Sequence, residues 1–200
     1  MRNASIGRAA LAVVGLTVVG GAAQAQNPVG TAASAIGLGV KKPIRLSIGG
    51  YFPTDSSLRN GVSKNFVRYG LSYDIWKNPV LIPVVVGAYV DGVFPKDKDT
   101  GSSENSFRFI GVGIQAKKFI NAPLLPASFF YGLGVGPYFT RAETAGRSEN
   151  RSVFGGKVFI GAELAGTVFG TLDYTYLGKV STDGGDYKPS GFGASIGVRF

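Results

Sequence analysis

From Lys42 to the C-terminus the chain alternates apolar with small or polar residues, in runs separated by turn-forming segments. Successive side chains on a strand point to opposite faces, so each run reads as a strand with one greasy and one polar face. The end of the chain shows this most cleanly, with Phe192, Ala194, Ile196, Val198 and Phe200 on one face and Gly193, Ser195, Gly197 and Arg199 on the other. Eight strands are predicted, over residues 44–52, 65–75, 80–94, 106–119, 127–141, 151–163, 167–177 and 191–200. The first sets Ile44, Leu46, Ile48 and Phe52 against Arg45, Ser47, Gly49 and Tyr51, and the second Val67, Tyr69, Leu71, Tyr73 and Ile75 against Arg68, Gly70, Ser72 and Asp74. In the third, Ile82, Val84, Val86, Ala88 and Val90 oppose Val85, Gly87, Tyr89 and Asp91; in the fourth, Ile110, Val112, Ile114 and Ala116 oppose Gly111, Gly113, Gln115 and Lys117. The sixth and seventh send Val158, Ile160, Leu172, Tyr174 and Tyr176 one way and Lys157, Glu163, Thr171, Asp173 and Thr175 the other.

A soluble sheet buries its apolar face, whereas a membrane barrel turns it to lipid and keeps the polar face inside. Strands of roughly 9–11 residues suit a tilted crossing of a bilayer. The connections alternate: 76–79, 120–126 and 164–166 are short, while 53–64, 95–105, 142–150 and 178–190 are longer and rich in Ser, Asp, Gly and Lys. Short inner turns and long outer loops mark bacterial outer-membrane barrels. Aromatics fall near the strand ends, Phe52, Phe94, Phe139 and Phe192 toward the long loops and Trp76, Phe119, Phe129 and Phe200 toward the short turns, as interfacial girdles would. The expected fold is all-β, an eight-stranded antiparallel up-and-down transmembrane barrel over 42–200, following a signal peptide over 1–25 and an N-terminal periplasmic segment over 26–41. The signal reads from Arg2 and Arg8, the uncharged run Ala9 to Ala23 and the small-x-small site Ala23-Gln24-Ala25.

Composition removes chemistry more readily than it assigns it. With no His and no Cys, imidazole-dependent triads, thiol nucleophiles, His/Cys zinc sites and disulfide staples are all excluded. Loss of Arg2 and Arg8 with the signal leaves 19 basic against 12 acidic residues, formally +7. Arg59, Lys96, Lys98 and Arg147 stand beside Asp55, Asp97, Asp99 and Glu149, so the charge is interspersed and a nucleic-acid patch is not indicated. The inward carboxylates Asp74, Asp91, Glu163 and Asp173 are expected to neutralise Arg45, Arg68, Lys157 and Arg199 in a lumen charge network, because paired buried charges are tolerable and isolated ones costly. No catalytic residue, cofactor or metal site is expected. Gly132-Leu133-Gly134-Val135-Gly136 sits inside an alternating run with no helix pattern after it, so its glycines read as lumen-facing and not as a nucleotide loop. Asp97-Lys98-Asp99-Thr100-Gly101 fails the EF-hand spacing, and Asn150-Arg151-Ser152 is a chance sequon.

The signal, the eight alternating strands and the terminal Val198-Arg199-Phe200 resemble the small bacterial outer-membrane β-barrels of the OmpA/OmpX/OmpW type. That resemblance implies insertion by the barrel assembly machinery with Phe200 as part of the recognition signal and contact with outer-membrane lipid; no appended peptidoglycan-binding domain is expected after the last strand. Function does not transfer with the fold. The leading expectation is a non-enzymatic, monomeric outer-membrane protein with a structural or surface-interaction role through its long loops, since an eight-stranded barrel is just wide enough to be filled by its own side chains. The alternatives are a narrow channel for small or apolar solutes and a soluble lipocalin-like ligand-binding barrel.

Overall fold

In the computed structural model, which describes residues 40, 42–77, 84–95, 106–121, 127–144, 147–182 and 185–200, the alternating runs pair edge to edge until no edge is left. The strands are β1 (Ile44–Pro53), β2 (Phe66–Lys77), β3 (Val84–Pro95), β4 (Ser106–Asn121), β5 (Ala127–Thr144), β6 (Arg147–Leu164), β7 (Val168–Leu177), the short β8 (Val180–Thr182) and β9 (Gly185–Tyr187), and β10 (Gly191–Arg199). β1 to β7 and β10 close an antiparallel barrel, while β8 and β9 form a hairpin of their own between β7 and β10. β10 seals against β1 from Arg45↔Arg199 to Pro53↔Gly191, and Phe200 extends the seam through reciprocal backbone bonds with Ile44 at 2.9 and 3.0 Å. Closure satisfies the edges of the eight barrel strands, which a lipid environment demands because no water is there to hydrogen-bond a free one.

Register then decides which face meets what. Leu46, Ile48, Val112, Ile114, Leu133, Val158, Ile160, Leu172, Ile196 and Val198 all stand exposed on the outer wall. Soluble monomers do not carry an apolar surface of that extent, and hydrocarbon is the solvent that fits it. On β5 the outward apolar positions run from Phe129 to Phe139. At about 3.4 Å per residue and a tilt near 45°, that stretch spans roughly 24 Å of height, the thickness of an outer-membrane apolar band. A β-bulge between Asp74 and Trp76 lets Asp74 stay inside while both Ile75 and Trp76 face out.

Three departures from the sequence reading concern the strand ends. The segment 142–150, expected as a loop, is mostly ladder: Ala142↔Glu149, Glu143↔Ser148 and Thr144↔Arg147 carry β5 and β6 beyond the belt as a projecting hairpin. Above the membrane a strand needs no greasy face, so its polar composition mimicked a loop. The segment 53–64 contains a helix, α1 (Ser56–Gly61), started by Asp55, whose side chain accepts from Ser57 N at 2.7 Å. Phe119 belongs inside the barrel and not to a girdle, because it packs against the buried Phe130. The signal peptide, Ile82, the Asp97 to Gly101 motif and most of the segment 26–41 lie outside the described residues.

Candidate functional site

The lumen is built in layers, ordered here from the end with the short β6–β7 turn, called lower, to the end with α1 and the β8–β9 hairpin, called upper. At the lower end Arg45, on β1, lies with its guanidinium carbon 5.1, 5.3 and 5.5 Å from the ring centres of Phe169, Phe130 and Phe119. Its Nη2 donates to Glu163 Oε2 at 2.5 Å, and Arg199 Nη1 donates to Glu163 Oε1 at 2.9 Å. Asp74 completes this cluster with Lys117 Nζ 2.6 Å away, Arg45 Nε at 3.4 Å and Arg199 Nη2 at 3.8 Å. None of those three approaches has hydrogen-bond alignment, since neither oxygen of Asp74 nor Arg45 Nε has a hydrogen-bond partner.

The upper cluster is tighter. Arg68 donates from Nη1 to Asp173 Oδ2 at 2.5 Å and from Nη2 to Asp91 Oδ2 at 2.8 Å. Lys157 Nζ donates to the same Asp91 oxygen at 2.7 Å and sits 3.6 Å from the centre of the Tyr89 ring. All eight charges predicted from the sequence thus face the lumen and divide into these two clusters, Arg45, Asp74, Glu163 and Arg199 below and Arg68, Asp91, Lys157 and Asp173 above. Lys117 is a ninth member that the expected network lacks, although it shares the polar face of its strand with Gln115. Between the clusters remains a cavity of about 60 Å³ edged by Ser47, Ser72, Gln115, Thr171 and Ser195. That is room for a few ordered waters, at roughly 10–15 Å³ each.

Glycine makes the packing possible. A methyl group at Gly132, Gly161 or Gly197 would overlap the ring of Phe159, Phe130 or Phe169 respectively, so each of these three glycines is a seat for an aromatic from a neighbouring strand. Above the charges, Tyr89 and Tyr138 share a hydroxyl contact at 3.1 Å. Tyr51, Phe66, Val93, Phe107, Phe109 and Leu177 then fill the mouth as one cluster with Leu58 of α1, which is 1% exposed. Asp55 ties this cover down, accepting from Lys188 N next to the β8–β9 hairpin as well as from the helix, while the Tyr51 hydroxyl donates to Pro189 O. The polar-in, apolar-out arrangement is the reverse of a lipocalin's.

No protein-family model and no curated protein matches the sequence. Among solved structures, the crystal structure of Neisserial surface protein A superposes with a TM-score of 0.61 at 18% identity, over 80% of this chain and 96% of that one. The attachment invasion locus protein Ail of Yersinia pestis gives 0.47 at 17% identity, over 80% and 100% of the two chains. The N-terminal β-barrel domain of Pseudomonas aeruginosa OprF gives 0.46 at 9%, over 80% and 98%. The chain has the fold of the small bacterial outer-membrane barrels. Within that fold its outward rows are the lipid face and its lumen is a packed interior.

Proposed function

We propose that this protein is an integral outer-membrane protein that displays its upper loops and β5–β6 hairpin at the cell surface, and that its barrel is a sealed anchor and not a pathway. The observation that carries this reading is the filled lumen: two ion clusters and the aromatic layers beside them leave about 60 Å³ between them. A continuous water column has no room there, so the channel alternative is not favoured. Each lumen carboxylate lies against arginine or lysine, with no imidazole or thiol in the chain to act as base or nucleophile, which supports a non-enzymatic role. The projecting hairpin, with Arg141, Arg147, Ser148, Asn150 and Arg151 exposed, supplies surface for partners. Assembly through the barrel machinery, with Phe200 closing the β1–β10 seam, and a monomeric state in lipid belong to the same proposal. The likeness to a protein titled a surface protein supports it at the level of fold.

The test is an epitope inserted between β5 and β6, compared with one at the Ala165-Gly166 turn, in cells producing the full chain. Antibody should label the first on intact cells and the second only after the outer membrane is opened. The reverse pattern would invert the barrel, and recovery of the protein in a soluble fraction would end the membrane reading. In planar bilayers the purified protein should pass ions poorly; large, stable unit conductance would restore the channel alternative.

A further inference from the structure

Where the β5–β6 hairpin leaves the apolar belt, its outer face changes character in a single step. The rung Ile110↔Phe139 is apolar and exposed on both strands; the next outward rung is Arg108↔Arg141, and Arg141 pairs onward with Asn150 of β6. Two like charges directly across a strand pair are unfavourable unless something between them is negative. Among the described residues Glu143 fills that place, with its Oε1 2.9 Å from Arg141 Nη2 and 3.8 Å from Arg108 Nη2. That one carboxylate faces two guanidinium groups among the described residues, and the two arginine side chains are 43% and 44% exposed. Their remaining N–H donors point sideways, from the same wall that meets lipid, and not across the barrel mouth, where the opposite face of the hairpin carries Arg147 and Arg151.

On the reading that the belt lies in the outer membrane, this row stands at the level of the outer headgroups. We propose that Arg108, Arg141 and Asn150 form a binding site for the phosphate of a phosphorylated glycolipid in the outer leaflet, with Ile110, Phe139 and Phe154 beneath it lying along the acyl chains. Guanidinium is the side chain suited to this task, because its planar donor fork matches two phosphate oxygens at once and it is more weakly hydrated than an ammonium group. Asn150 adds a neutral donor at the same height, and Glu143 acts as the placeholder that the phosphate displaces from one arginine.

The experiment uses the purified full chain in neutral detergent micelles, titrated with bisphosphorylated lipid A or with the same lipid stripped of phosphate, with retained lipid counted by native mass spectrometry. The phosphorylated lipid should be retained at concentrations at least tenfold lower than the stripped one. R108Q/R141Q should abolish that preference, E143Q should strengthen it, and R147Q/R151Q, on the other face of the hairpin, should leave it unchanged. All the variants alter exposed side chains, and an unchanged shift on gels between unboiled and boiled samples verifies that each is folded. Equal retention of both lipids by the unmodified protein, or an undiminished preference in R108Q/R141Q, would overturn the site. If inositol hexakisphosphate binds through the same two arginines while the lipid does not, the ligand is a soluble polyanion and the lipid assignment fails. Because the measurement is made in micelles, its failure is distinct from failure of the outer-membrane reading, which cell fractionation decides.

Discussion

The two charge clusters in the lumen solve the same problem in different ways. The upper one balances two cations with two carboxylates, and its short contacts are aligned hydrogen bonds, with Asp91 Oδ2 shared between Arg68 and Lys157. The lower one holds three cations against two carboxylates, leaves both oxygens of Asp74 without an aligned donor, and rests Arg45 against three phenyl rings. A ring face attracts a cation through its quadrupole without contributing a countercharge. The upper cluster is therefore a saturated knot, in which every member is needed. Below, charge is in excess and aromatic packing makes up the difference.

The comparison is most exposed at Asp91. Among the described residues, replacing it with alanine leaves Lys157 with no carboxylate within ion-pair distance and Arg68 with Asp173 alone. Stranding a buried cation in this way is expected to cost about 3–5 kcal/mol, and less where lumen water reaches it. Urea unfolding in detergent, followed by the gel shift between folded and unfolded forms, reads the loss. A variant as stable as the parent would mean that the upper cluster is not the knot described.

Removing a lysine from each cluster separates the two designs. Lys157→Met leaves two carboxylates facing Arg68 alone and is expected to lose about 3 kcal/mol, the penalty of an uncompensated buried charge. Lys117→Met leaves Arg45 and Arg199 against Asp74 and Glu163, a balanced set in place of a surplus, and is expected to stay within about 1 kcal/mol of the parent, since replacing excess buried charge with apolar volume is often neutral. Equal losses in the two variants would erase the distinction between the clusters.

The same contrast shows what the sequence reveals and what it conceals. Face assignment follows from a period of two, so the positions of Arg45, Arg68, Asp91 and Asp173 were legible from parity alone, and Lys117 carries the same parity as Gln115. Phe119 shares it too; proximity to a strand end suggests a girdle, but parity places its ring inside, beside Phe130. Which charges meet which was not legible, because pairing across the lumen depends on how far the closed strands are staggered, and no run of residues encodes that locally. The helix α1 is hidden for a related reason: six residues are too few for a periodic signal, and what selects the turn is the cap from Asp55 together with the seat that the barrel mouth provides for Leu58. The upper part of the β5–β6 hairpin lacks an apolar stripe on its outer face because that face stands beyond the hydrocarbon that the rows below it meet.

A smaller effect tests how rigid the upper knot is. An added methyl at Gly193 would overlap Arg68 Nη1 and Asp173 Oδ1, on two side chains joined by the ion pair from Arg68 Nη1 to Asp173 Oδ2, whereas one at Gly170, on the outer wall of β7, meets nothing closer than 3.9 Å. Gly193→Ala is expected to cost about 1–3 kcal/mol as overpacking, and Gly170→Ala to be neutral or stabilising by about 0.5 kcal/mol through the loss of unfolded-chain freedom. If Gly193→Ala is as stable as Gly170→Ala in the urea titration, the Arg68 and Asp173 side chains have slack that the packing denies them.

The smallest effect belongs to the lower cluster. Phe169 contributes the ring nearest to the Arg45 guanidinium, and Phe169→Leu keeps an apolar side chain there while removing the ring face. The expected loss is about 1 kcal/mol, the order of a desolvated cation–π contact, with a minor repacking cost added. Phe154→Leu, at a site 70% exposed to the surroundings of the barrel and away from both clusters, serves as the matched control and should shift the unfolding midpoint less. If the two leucine variants behave alike, Arg45 is held by Glu163 and Asp74 without help from the rings, and the excess charge of the lower cluster would need another compensation than its three rings.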